Sequence, residues 1–179
     1  MRVLIAVALL AAATLARAET STLEFKGIAL GSDISAYEGN KRFFCMDSKS
    51  AVADRMCAAR HADSETIAGV AMKGLILFFY DGKLHRIMIT FDSKEYSTVL
   101  DALTEKYGKP ISATERIQNR MGAEFENETN TWNKTEQTLK AQKYTGKITV
   151  SSVTFQTDAG YAEFNRRFEL QKKAGAKDL

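Results

Sequence analysis

Two apolar runs joined by a two-residue turn constrain this chain more than any other feature of its sequence. Leu75-Ile76-Leu77-Phe78-Phe79-Tyr80 is rich in residues that suit a pleated strand. Asp81-Gly82 supplies the pair favoured in a type I′ turn, where both central residues take positive φ, and Leu84 to Phe91 is a second run. The spacing predicts a β-hairpin. In its second strand Ile87, Ile89 and Phe91 share one face while Arg86, Met88 and Thr90 share the other, so one face is expected to be half-exposed. His85, beside the turn, reads as a surface side chain.

A helix is expected next. Asp92 stands as N-cap, with Glu95 placed to close a capping box. Tyr96, Val99, Leu100, Leu103 and Tyr107 form one apolar stripe, Gly108 suits the residue after the helix, and Pro110 forbids continuation. The same grammar recurs later in the chain. Gly82-Lys83-Leu84 is matched by Gly146-Lys147-Ile148, and Ile89-Thr90-Phe91 by Val153-Thr154-Phe155. Two related units would explain the echo, each unable to bury its apolar face alone, and so would generic strand-to-helix grammar.

Elsewhere the signals are shorter. Leu23, Phe25, Ile28 and Leu30 alternate around Gly27, Ser32 is placed to cap a short helix over 33–38, and another short helix is expected over 49–59. The stretch 111–144 reads as two or three strands with long exposed connections, and 147–155 as one more. Thr157 or Asp158 then caps a terminal helix with Tyr161, Phe164 and Phe168 as its buried stripe. Together these elements predict an α+β domain, an antiparallel sheet with amphipathic helices packed on one face.

Residues 1–18 read as a cleavable signal peptide. Arg2 opens an uncharged run from Val3 to Leu15, and Ala16-Arg17-Ala18 places small residues where a signal peptidase reads, so cleavage is expected after Ala18. The run is shorter than the about 20 residues that span a bilayer, so no membrane anchor is expected. Residues 19–171 then make one domain, and 172–179 a loose basic tail. Removal of Arg2 and Arg17 leaves 23 basic against 22 acidic residues, too balanced for nucleic-acid binding. The expected location is the periplasm, where the lone pair Cys45 and Cys57 reads as a disulfide.

Catalytic and cofactor motifs do not emerge. There is no G-x-S-x-G elbow and no phosphate-cradling glycine loop, and His61 and His85 lie far apart in sequence. His61-Ala-Asp63-Ser-Glu65 offers three polar groups but no fourth metal ligand, and Glu124, Glu126 and Glu128 alternate as on a solvated strand. No enzyme, cofactor or metal is therefore expected.

Tyr107-Gly108-Lys109-Pro110 after a helix, followed by Trp132 and later strands, resembles the SmpA/OmlA (BamE-type) outer-membrane assembly domain. The internal echo resembles the tandem β-lactamase inhibitor protein. Phe25-Lys26-Gly27-Ile28-Ala29-Leu30-Gly31 with a downstream cysteine pair is similar to small uncharacterised exported proteobacterial proteins. The resemblance implies a scaffold for binding other proteins. The expected function is a non-catalytic periplasmic binding or inhibitory module for another envelope protein, with Arg86, Met88 and Trp132 on the open sheet face. The alternatives are an apolar-ligand carrier and an envelope hydrolase using Glu124 and Glu126.

Overall fold

The computed structural model describes residues 23–118 and 121–175; the signal-peptide reading and the last residues of the tail fall outside them. A small hairpin comes first, β1 (Glu24–Phe25) and β2 (Ile28–Ala29), turned at Lys26-Gly27. Then follow β3 (Phe43–Asp47), β4 (Arg55–Ala59), β5 (Thr66–Ile67), β6 (Val70–Tyr80) and β7 (Lys83–Asp92). Helix α1 (Tyr96–Tyr107) leads to β8 (Ile111–Gln118), β9 (Glu124–Lys134), β10 (Gln137–Gln142) and β11 (Val150–Thr157), and α2 (Asp158–Gly175) ends the described chain.

The class is the expected α+β. Nine strands of the described residues form one antiparallel sheet in the order β3-β4-β6-β7-β11-β10-β9-β8, with β5 paired on β6. The order gives the echo an architectural form: β3-β4-β6-β7 and β8-β9-β10-β11 are two meanders, each followed by a helix and joined through their last strands. The hairpin turn is as expected, with Asp81 at φ 47° and Gly82 at φ 73°. So is the α1 stripe: Tyr96, Val99 and Leu103 are buried, with Leu100 and Tyr107 packed against them.

Cross-strand register assigns every side chain to a face. On the inner face one row runs Trp132, Leu139, Phe155, Ile87, Leu77, Cys57 and Cys45, and a second runs Asn130, Ala141, Val153, Ile89 and Leu75. These rows, α1 and the N-terminal hairpin make the core. The outer face carries Met46, Met56, Phe78, Arg86, Gln156, Thr138 and Asn133 in one row, and Phe44, Ala58, Ile76, Met88, Thr154, Lys140 and Thr131 in the next.

Helix α2 lies on the outer face, over Arg86 and His85. The two helices thus take opposite faces instead of sharing one. The reason is the contact set of α2, which turns Gly160, Phe164 and Arg167 to the sheet and leaves Tyr161 and Phe168 about half-exposed, unlike the expected stripe. Four local expectations also change. The segment 49–59 is a loop and β4, because Cys57 and its neighbours pair with both β3 and β6. Asp33, not Ser32, caps the short 3-10 turn Ile34–Ala36. Asp92 caps its turn through Lys94, while Glu95 makes no capping bond. The terminal helix continues through Lys172 and Lys173 to Gly175.

Candidate functional site

The outer face divides into a covered end and an open middle. At the covered end the hairpin carries a bulge: Phe78 pairs with Arg86 and Phe79 with Leu84, so His85 is an extra residue on β7. Inserting one residue turns both His85 and Arg86 outward, beneath α2. His85 is buried at 5 % exposure and stacks on Tyr80 with ring centroids 4.0 Å apart. Its Nε2 donates to the Val52 carbonyl at 3.0 Å, which leaves Nδ1 as a bare acceptor without a partner among the described residues. Burial, with Arg86 beside it, pushes its pKa down to about 4, so the ring is neutral.

A charged clamp fastens α2 over this pair. Arg167 stacks its guanidinium 4.3 Å from the Tyr80 ring centroid, pairs with Asp54, and donates from Nε to Glu163 at 2.6 Å. The Arg167 hydrogen bond holds the Asp54 carboxyl below its ordinary range; Arg166 and Arg167 hold that of Glu163 at about 2. The Tyr80 hydroxyl donates to the Ala51 carbonyl, and Asp54 accepts from the Asp81 amide at 3.0 Å. Loop 48–54, the hairpin tip and α2 are therefore tied at one point. Two buried nitrogens here lack a hydrogen-bond partner among the described residues: Arg86 Nε, whose guanidinium stacks on Phe164, and His85 Nδ1, which faces Gly160 rather than a cavity. The arrangement positions a helix; it presents no nucleophile to solvent.

The open middle is apolar. Phe44 and Met46 are 48 % and 42 % exposed, and Met56, Ala58, Ile76 and Met88 beside them are half-buried. Arg60 stands 5.4 Å from the Phe44 ring centroid, and Arg86 5.3 Å from that of Phe164 at the margin of α2. A cleft lined by Lys41, Phe44, Arg55 and Arg60 continues the patch around the β3 edge. Large exposed apolar side chains in contiguous rows are unusual on a surface that meets only water.

Of the residues singled out from sequence, Arg86 and Met88 do share the outer face, as i and i+2 on β7. Trp132 does not join them, which corrects the expected surface. It lies on the inner face at 4 % exposure, and its indole N–H donates to the Gly108 carbonyl at 2.6 Å. Its place in the row with Leu139 and Phe155 leaves no route outward. His85 is likewise not the surface side chain expected of it; the bulge carried no signal in the alternation. Phe44, Met46 and Met56 are not legible as one patch in the sequence, because a helix over 49–59 leaves β3 without its strand partner. Cys45 and Cys57 are directly opposite on β3 and β4 and form a disulfide.

The alternative sites are scattered. Glu65 is paired to Arg42 at 2.6 Å, with His61 and Asp63 exposed on a turn. Glu124 and Glu126 are exposed on β9, and Glu128, on the same face, accepts from Asn130 at 2.6 Å. Among the described residues no three His, Cys, Asp or Glu side chains converge as metal ligands. No helix among them is long and apolar enough to cross a membrane.

Comparison with known proteins finds no curated protein and no solved structure that matches the chain. The likeness to the SmpA/OmlA domain and to the β-lactamase inhibitor protein draws no support from it. A family model described as an uncharacterised protein matches residues 41–162. That span runs from just before β3 into the first turn of α2 and takes in both meanders, the disulfide and the open outer face. Covering more than half of the chain, the match shows that the protein belongs to this uncharacterised family.

Proposed function

We propose that the protein is an exported, non-catalytic module that binds another envelope protein on the open part of its outer sheet face. The observation that carries the reading is the apolar patch of Phe44, Met46, Met56, Ile76 and Met88, which α2 leaves uncovered. Methionine adapts its shape to a partner at little strain, and stacked arginines at the margin match the make-up of binding hot spots. Among the described residues the exposed Arg60 makes no ion pair, so the fitting partner surface is apolar with an acidic group at its edge. A periplasmic site of action follows from the signal-peptide reading and agrees with the disulfide.

Photocrosslinking from the patch tests this in cells. A benzoylphenylalanine at Met88 or Phe44 is expected to trap one discrete envelope protein. The same group at Ser97, exposed on α1, is expected to trap none. Met88→Glu should weaken the Phe44 adduct at least tenfold, since it buries a charge in an apolar contact. Equal adducts from Ser97, or none from either patch site, would sink the proposal.

A further inference from the structure

On the opposite side of the molecule, and independent of the outer face, the geometry points to a binding site for a small amphiphilic anion, a short acyl chain bearing a carboxylate. A cavity of about 230 Å³ opens in the seam between the N-terminal hairpin, the β5 turn and the last turns of α1. Its apolar wall is made by Phe25, Ile67, Leu103, Tyr107 and Phe155, of which all but the half-buried Tyr107 belong to the buried core. Interiors are ordinarily close-packed, and an apolar hollow of this size opening to the surface is suited to an apolar guest. It is smaller than the about 300–1,000 Å³ of sites for drug-sized ligands, so the guest is narrow and short.

Charge at the mouth selects the head group. The Lys26 ammonium stands 5.7 Å from the Phe25 ring centroid and that of Lys106 5.1 Å from the Tyr107 centroid. Both cations thus sit over rings that line the cavity, and both lysines line it themselves. Glu24 shares the rim and Glu65 lies near Lys26, but Glu65 is already paired with Arg42, which leaves one positive charge in excess among the lining residues. Two tight hairpin turns shape the mouth: Lys26 (φ 48°) ahead of Gly27 and Ala68 (φ 50°) ahead of Gly69 take the same first turn position as Asp81 ahead of Gly82.

Isothermal titration calorimetry on the exported protein, freed of lipid by an exchange resin, tests the assignment with octanoate, octylamine and 1-octanol. Octanoate is expected to bind saturably at one site and at least tenfold more tightly than octylamine. Lys26→Gln and Lys106→Gln, both at exposed positions, should each weaken octanoate about two- to fivefold and leave 1-octanol unchanged. Ala102→Phe, which fills the cavity from α1, should abolish binding of both. No saturable octanoate binding, equal affinity for octylamine, or indifference to the lysine substitutions would overturn the proposal.

Discussion

Between the pairs Phe78–Arg86 and Phe79–Leu84 the hairpin gains one residue, and that residue is His85. Its neutral ring gives the fold a signed dependence on pH. The unfolded chain takes up a proton near the ordinary histidine value of 6.5, whereas the buried ring does so only at about 4. The stabilisation is therefore fully present above about pH 6.5 and is lost as pH falls toward 4, by about 3 kcal/mol in all. Asp54 and Glu163, held low by their arginines, give way only at lower pH. Urea unfolding of the wild type should lose stability across pH 6.5 to 4, while His85→Gln should be nearly flat there; parallel slopes would refute this origin. Gly160 carries the complementary constraint. A Cβ there would stand 2.6 Å from His85 Cβ, in a contact that no rotamer relieves. Gly160→Ala should cost about 1–3 kcal/mol, read from the urea midpoint.

Helix α2 is an element placed by a few side chains rather than by a broad apolar stripe. Its partly buried face offers Gly160, Phe164 and Arg167, while Tyr161 and Phe168 stay about half-exposed, Phe168 stacking on Phe164. Arg167→Ala removes the Asp54 pair and the contact over Tyr80, worth about 1–2 kcal/mol together. Amide exchange should accelerate in α2 and loop 48–54, with α1 unchanged; a uniform acceleration would place the effect elsewhere. The contrast with α1 explains what was legible. In α1 the stripe, the glycine stop and Pro110 agree, so sequence alone locates it. In α2 three aromatics at helical spacing imitate a buried face, and only the tertiary contacts of Arg167 decide otherwise. Segment 49–59, rich in alanine, imitates a helix too; pairing of β4 with two neighbours overrides that propensity. The paired cysteines were readable as a bond, but their strand partnership was not, because a spacing says nothing about which backbone lies opposite.

At the scale of the whole molecule the two meanders meet only through β7 and β11 in the sheet, yet the core does not divide there. Helix α1 belongs to the first unit by sequence and packs on strands of the second. The Tyr96 hydroxyl approaches the carbonyls of Ala141 and Glu128 at 3.3 and 3.4 Å and accepts from Asn130 at 3.0 Å. Trp132, from the second unit, closes back onto Gly108 at the end of α1. Each half therefore completes the other's buried surface. Phe155 is the residue on which this interlock turns. It is 2 % exposed on β11, flanked in register by Ile87 and Leu139, and its ring lies 6.2 Å from that of Phe25. Phe155→Ala should cost about 3–5 kcal/mol. Because the core is shared, the loss should shift one cooperative transition, with far-ultraviolet and tryptophan signals moving together. A variant in which the Trp132 signal melts well before the far-ultraviolet signal would show instead that the first meander stands alone, and that β7 and β11 form a boundary rather than a joint.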